Sequence, residues 1–262
     1  ADCYWVRLDA GFSRELKQAV IDVTTRIKEY FTADLQITAG KPRQGGTLLR
    51  ICPVDPALQE QEYRLEAGKS GIVLRGGGEP GIAYGLRTLE QLLPQTGVFV
   101  PEFVIEDYPD FPQRGFMLDV SRCKVPTMDS MRRFIDMLAG LKFNQLQLYI
   151  EHTFAFSAHE RVWYDASPFT AAEIVELDLY CRSRFIELVP NLNSFGHLER
   201  WLRHDEYKYL AECPDGFVSQ WGPRPGAILK PNQDSLAFLS ELYEEFLPNF
   251  SSRCFNIGCD ET

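Results

Sequence analysis

Apolar positions in the first hundred residues change period several times. Leu16, Ala19, Val20, Val23, Ile27 and Phe31 recur at helical spacing, with Ser13 placed to cap the helix they predict. Three short β-like runs follow, GTLLRIC (46–52), EYRLEA (62–67) and IVLRG (72–76). The Gly68–Gly71 turn between the last two predicts an antiparallel hairpin. A second helix, IAYGLRTLEQLL (82–93), is expected to stop before Pro94. The stretch PEFVIEDYPDFPQ (101–113) carries three prolines and reads as a linker, so a small α+β domain is expected over 1–110 and a second domain over 111–262.

Beyond the linker, strands alternate with helices: GFMLDV (115–120), MDSMRRFIDMLAGL (128–141), FNQLQLYI (143–150), AAEIVELDLYCRSRF (171–185), IELVPNL (186–192), SLAFLSELYEEFL (235–247) and CFNIG (254–258). Such a β-α-β-α-β-α-β order implies a parallel sheet covered by helices, an α/β fold. The loops 151–170 and 193–234 are long, and they follow the C-terminal ends of strands, where a (β/α) barrel builds its active site. Four parallel strands cannot close a barrel. The chain is therefore either an open α/β sheet or the front part of a longer protein.

Composition narrows the function. The 262 residues include 37 Asp and Glu against 27 Lys and Arg, a formal charge of −10, which argues against nucleic acid as a partner. No apolar run approaches the ~20 residues needed to span a bilayer, so a membrane protein is not expected. The opening ADCYWVRLDA has neither an initiator Met nor a signal-peptide pattern, and the true N-terminus and compartment stay open. Seven cysteines without a C-x-x-C read as buried free thiols, which leans toward a reducing, cytoplasmic setting; a secreted or periplasmic one stays open.

The strand ends collect polar groups: Asp119, Ser121 and Arg122 after the first, Glu151 and His152 after the second, Asn191, Asn193 and His197 after the third, Asp260 and Glu261 after the fourth. In a parallel sheet all of these converge on one rim. An acidic pair alone says little, since the chain has others at 106–107, 205–206 and 244–245. His152 and His197 lack the spacing of a metal motif, so hydrogen-bonded histidines are expected and no metal. Gly76, Gly78 and Gly81 satisfy G-x-G-x-x-G, but the preceding strand belongs to a hairpin and Pro80 removes an N–H, so a turn is expected rather than a nucleotide cradle.

At these residues the chain resembles glycoside hydrolase family 20, the β-N-acetylhexosaminidases. RGFMLDVSR (114–122), FNQLQLYIEHTFAF (143–156), NSFGHLE (193–199) and FNIGCDET (255–262) look like its strand-end motifs, and GIAYGLRTLEQLL (81–93) looks like part of the domain that precedes its barrel. The resemblance implies a TIM-type (β/α) barrel with only strands one to four in this chain. It also implies hydrolysis of terminal β-linked N-acetylglucosamine or N-acetylgalactosamine with retention, the substrate's acetamido oxygen acting as nucleophile, with no cofactor. Glu261 would be the acid and then the base, its carboxyl held protonated by burial or by the charge of Asp260. Asp260 would orient the acetamido group, Arg122 would donate to sugar hydroxyls, and His197 would support the acid.

Some positions depart from the family pattern. Glu151 and His152 stand where two aspartates are common, and they join the expected substrate-binding set. Phe195 precedes Gly196-His197 in place of a proline, and Cys259 stands where Gly is frequent. Trp163 and Trp221 sit in the long loops and are equally placed to stack on sugar or to pack the loop. The competing readings are a non-catalytic carbohydrate-binding protein on the same fold and a nucleotide-dependent oxidoreductase using the glycine loop. Gluco or galacto preference and oligomeric state are not legible.

Overall fold

In the computed structural model, residues 4–31, 35–41, 46–96, 100–122, 124–220 and 222–261 are described. They form two compact units, one of residues 1–114 with 135–144 and 182–186, the other of 115–134, 145–181 and 187–262.

The first unit runs β1 (Tyr4–Leu8), α1 (Arg14–Phe31), β2 (Leu35–Ala39), β3 (Gly46–Ile51), β4 (Tyr63–Gly68), β5 (Gly71–Gly76), α2 (Glu79–Thr96) and β6 (Phe103–Asp107). The sheet order is β2-β1-β3-β5-β4-β6. Strand β1 pairs in parallel with β2 and β3, and β3 with β5, while β4 is antiparallel to both β5 and β6. The predicted hairpin is β4–β5. Leu16, Ala19, Val20, Val23 and Ile27 of α1 are buried in one core with Leu49, Leu65, Leu74, Ile82, Leu86 and Leu89; the side chain of Phe31 lies outside the described ones. Ser13 caps α1, its Oγ accepting from the Leu16 N–H at 3.1 Å, while its own N–H donates to Glu79 Oε1 at the start of α2.

Two expectations are corrected here. The linker contains an edge strand: Phe103, Ile105 and Asp107 alternate with the exposed Val104 and Glu106, and the prolines flank the strand rather than break it. Helix α2 also continues through Pro94 to Thr96, because a proline in the last turn removes only one hydrogen bond near an end that frays anyway. The glycine loop is a turn, as expected. Gly77 N–H donates to Glu62 O and Gly81 N–H to Glu60 O, so the donors a phosphate would need are spent on backbone. A Cβ at Gly77 would collide with the carbonyls of Gln59 and Leu58, which explains the glycine without a ligand.

The second unit carries β7 (Gly115–Asp119), the start of α3 (Met128–Gly140, grouped with the first unit from Ile135 on), β8 (Gln145–Tyr149), α4 (Glu160–Trp163), α5 (Ala171–Arg182, all but its last residue), β9 (Glu187–Val189), α6 (Glu199–Leu202), α7 (Asp205–Lys208), β10 (Phe217–Ser219), β11 (Gly222–Arg224) and α8 (Gln233–Phe246). Strands β7, β8 and β9 pair in parallel in that order. The expected fourth strand, 254–258, is reduced to one parallel bridge, Asn191 with Asn256. Three backbone bonds still hold it in line: Asn256 N to Pro190 O, Leu192 N to Asn256 O and Ser194 N to Gly258 O, at 3.0–3.2 Å. Its start is fixed by the buried Asp178 of α5, which accepts from both N and Oγ of Ser251 at 3.0 Å.

The long loops fold back into the unit. Short helices α4, α6 and α7 and the β10–β11 hairpin occupy them, and Phe156, His159, Trp201, Tyr207 and Phe238 form an aromatic cluster with ring centroids 5.2–6.2 Å apart. Trp163 donates its Nε1–H to Phe156 O at 2.8 Å, a loop-packing role; Trp221 lies outside the described residues. Among the cysteines, Cys52 and Cys181 are buried free thiols as expected, but Cys213, Cys254 and Cys259 are exposed; Cys3 and Cys123 lie outside the described residues.

Candidate active site

The sequence places each candidate side chain by a local device. Asp119 at the end of β7 turns the chain: its Oδ1 accepts from the N–H groups of Ser121 and Arg122 at 2.9 and 3.0 Å, and its Oδ2 holds Arg122 Nη1 at 2.9 Å. Those backbone donors and the Arg122 guanidinium outweigh burial and hold the Asp119 carboxyl below its ordinary range. After β8, the Glu151 N–H donates to Ser121 Oγ at 2.7 Å and its carbonyl accepts from Trp201 Nε1 at 2.9 Å. Both backbone groups of Glu151 are thereby fixed, the N–H to the end of β7 and the carbonyl to α6 in the loop after β9.

His197 sits in the loop after β9 with φ of 58°, a left-handed conformation that a non-glycine residue adopts only under constraint. At the end of the fourth segment Gly258 takes φ of 52° and Glu261 takes 53°. A Cβ at Gly258 would meet the side chain of Asn193, so only glycine lets this segment close on the buried amide. With its oxygen facing Tyr149 OH at 2.7 Å, the Asn193 amide donates to Gly258 O at 3.1 Å and to Asp260 Oδ1 at 3.3 Å. Leaving strand geometry here is what lets two adjacent carboxylates face one way.

These devices bring Arg122, Glu151, His197, Asp260 and Glu261 together. Arg122 Nη2 lies 3.2 Å from Glu151 Oε1, 3.1 Å from Tyr149 OH and 3.4 Å from His197 Nδ1. His197 Nδ1 is 3.8 Å from Glu151 Oε1, and its Nε2 is 3.4 Å from both Asp260 Oδ2 and Glu261 Oε2, aligned for a hydrogen bond to neither. One imidazole thus stands between an interior carboxylate and two rim carboxylates. Burial raises the Glu151 carboxyl, against the pull of the Tyr149 hydroxyl, Arg122 and His197. Burial lowers the charged form of Arg122 too, but Asp119 and Glu151 more than restore it. The side chain of Glu261 is 78% exposed and that of Asp260 55%.

His152 is not part of this group and lines a different part of the second unit. It follows Glu151 directly, and alternation along an extended chain turns it to the opposite face. There it is buried, its Nδ1 has no hydrogen-bond partner, and burial plus the Arg200 cation lower its pKa to about 4. A histidine held neutral in the fold and titrating near 6.5 when unfolded stabilises fully above pH 6.5 and loses that contribution as pH falls toward 4. Urea midpoints measured across that window are expected to fall by the equivalent of about 1–2 kcal/mol, allowing for solvent screening, and the His152→Gln variant is expected to lack that component.

Tyr149 was not evident among the polar strand ends, yet its hydroxyl bridges Arg122, Glu151 and Asn193, and burial followed by the Glu151 charge raises its pKa and keeps it protonated. Its position two residues before Glu151, on the same strand face, was the available signal. Trp201 had no such signal. Among the described residues no group of three or more His, Cys, Asp or Glu is arranged to hold a metal ion.

The profile of the glycosyl hydrolase family 20 catalytic domain matches residues 111–262, and that of the family's domain 2 matches residues 5–108. A β-hexosaminidase of Akkermansia muciniphila is 30% identical over 230 residues, which cover 79% of this chain and 46% of that protein. A β-hexosaminidase of Porphyromonas gingivalis is 26% identical over 276 residues, covering 95% of this chain and 35% of that protein. The chain spans about half the length, or less, of these relatives. The Streptomyces plicatus N-acetyl-β-hexosaminidase, solved in complex with thio-NAglucal, matches in fold with a TM-score of 0.80 at 24% identity, covering 98% of this chain and 55% of that chain. The fold is therefore an α+β unit followed by part of a TIM-type barrel. With the catalytic-domain profile matched over more than half of its residues, and the motif residues Arg122, His197, Asp260 and Glu261 gathered on one rim, the chain belongs to glycosyl hydrolase family 20.

Proposed function

We propose that this protein is a retaining exo-β-N-acetylhexosaminidase working by substrate-assisted catalysis, and that the chain is the front part of a longer enzyme whose α+β domain ends near residue 110. The observation that carries the reading is the placement of Asp260 and Glu261 at equal distance from His197 Nε2, with Arg122 and Glu151 behind it. Glu261 donates its proton to the glycosidic oxygen as the bond to the anomeric carbon breaks. The substrate's acetamido oxygen forms the new bond to that carbon from the opposite face. Asp260 accepts the acetamido N–H and stabilises the positive oxazolinium ring. Glu261, now a carboxylate, takes a proton from water, which opens the ring with net retention and returns the acid.

His197 is a positioning residue in this scheme: it stands between Glu151 on one side and the two rim carboxylates on the other and orients them. The Arg122 fork binds ring hydroxyls while Asp119 and Tyr149 hold it still. The substrate is a terminal β-linked N-acetylhexosamine.

Fluorination of the N-acyl group tests the nucleophile. On aryl β-glycosides bearing N-acetyl, N-fluoroacetyl, N-difluoroacetyl and N-trifluoroacetyl groups, the full-length protein is expected to slow progressively, by about ten-fold or more across the series, because fluorine withdraws electron density from the attacking oxygen. Rates independent of fluorine would assign the attack to an enzyme carboxylate instead. Saturable sugar binding with no release of phenol would leave a binding protein.

A further inference from the structure

Directly behind the rim, the second unit holds another cavity, of about 450 Å³. None of Arg122, Glu151, His197, Asp260 or Glu261 lines it. Its polar walls come from Ser121, Lys124, His152, Thr153, Asp165, Ser167 and Arg200. His152 is 7% exposed and its Nδ1 is buried without a partner. Arg200 is ion-paired to Asp165, yet its Nε is likewise buried without a partner. Lys124, exposed at the mouth, forms no ion pair among the described residues.

Buried polar groups are normally satisfied, so two residues with unmet buried atoms in the wall of one cavity point to a missing ligand. The imbalance here has a sign. The single carboxylate, Asp165, is committed to Arg200, and what remains unmet is mostly donor capacity: an ammonium, a guanidinium N–H and an imidazole. Two cations against one anion also leave the cavity net positive in a chain that is strongly acidic overall. Metal cations are disfavoured by the same balance. A cavity of this size takes a monosaccharide rather than a lone ion, and the hydroxyls of Thr153 and Ser167 suit a polyhydroxylated ligand. Ser167 is held at φ of 48°, a strained setting for a non-glycine residue and one found at ligand clamps.

We infer that this cavity is a second subsite that takes an acidic sugar, its carboxylate or sulfate set against Lys124, Arg200 and His152 and its hydroxyls against Thr153 and Ser167. That a sugar carries the anion rests on the glycosidase reading of the neighbouring rim; the oxyanion chemistry does not. A link between the two sites exists in Ser121, whose Oγ accepts from the Glu151 N–H and pairs with Thr153 Oγ1 at 3.0 Å. The subsite would select glycans in which an acidic residue accompanies the N-acetylhexosamine.

Full-length protein labelled at histidine is titrated with sodium glucuronate, with glucose as its neutral counterpart, and with sodium sulfate, while the His152 ring resonances are followed by NMR; His152→Gln identifies them. Glucuronate is expected to shift them saturably, glucose at equal concentration not, and sulfate to compete with glucuronate. Lys124→Gln is expected to raise the glucuronate Kd about ten-fold while leaving nitrophenol release from an aryl β-N-acetylglucosaminide unchanged. Equal responses to glucose and glucuronate, no response at His152, or an unchanged Kd in Lys124→Gln would overturn the inference, and so would binding of sulfate alone. Nitrophenol release by the same sample separates the two readings: release without a His152 response removes only the subsite, and a response without release removes only the glycosidase.

Discussion

Glu261→Gln is expected to lower kcat on an aryl β-N-acetylglucosaminide by about 10²–10⁴-fold in the full-length protein, the range that a positioned acid–base group supplies. The amide keeps the size and much of the hydrogen bonding of the carboxyl but cannot give or take the proton. KM is expected to change little, because the proposed scheme gives the holding of the sugar to Arg122 and its neighbours. The loss has an internal control in the leaving group. A dinitrophenolate departs without protonation, so kcat/KM for that substrate is expected to recover most of the deficit, whereas kcat stays low because water still lacks a base. A deficit equal for both leaving groups, or a variant within three-fold of the parent, would assign the proton to another residue.

The sequence pattern carried the parts of this fold that are built from local periodicity. Helix α1 was legible because five apolar residues at helical spacing are its buried face, and the β4–β5 hairpin because a short glycine-flanked turn joins two alternating runs. Strands β1 and β2 were not, since they pair in parallel with segments distant in the chain and nothing local marks them. Strand β6 was concealed by prolines that lie outside its five residues. At the site, convergence of the strand ends followed from α/β order alone. The division of labour between Glu151 and His152 did not follow from the motif, although strand parity decides it: one side chain faces His197 and the next faces the opposite cavity. Asn193 was visible as a polar residue, but its service to Asp260 depends on a positive φ at Gly258, which periodicity does not encode.

Trp201 shows how far such support extends, and its replacement by alanine is expected to destabilise the protein by about 3–5 kcal/mol in chemical denaturation. The ring is 1% exposed and meets Phe156, His159, Tyr207 and Phe238 edge-on at centroid distances of 5.2–5.7 Å, so nothing nearby can collapse to fill the void. The indole has a second task, because its Nε1–H is the donor to the carbonyl of Glu151. Trp201→Phe separates the two. Phenylalanine restores most of the apolar contact but leaves that carbonyl without its donor, at a cost of about 1–3 kcal/mol. It is expected to fold with the smaller loss and still to turn over several-fold more slowly, since Glu151 is then free to drift from His197 and Arg122. Full activity in the phenylalanine variant would confine Trp201 to packing. Lowered activity in a stably folded protein would mean that a residue from the loop after β9 sets the position of a carboxylate at the end of β8, and through it the imidazole between the two acids.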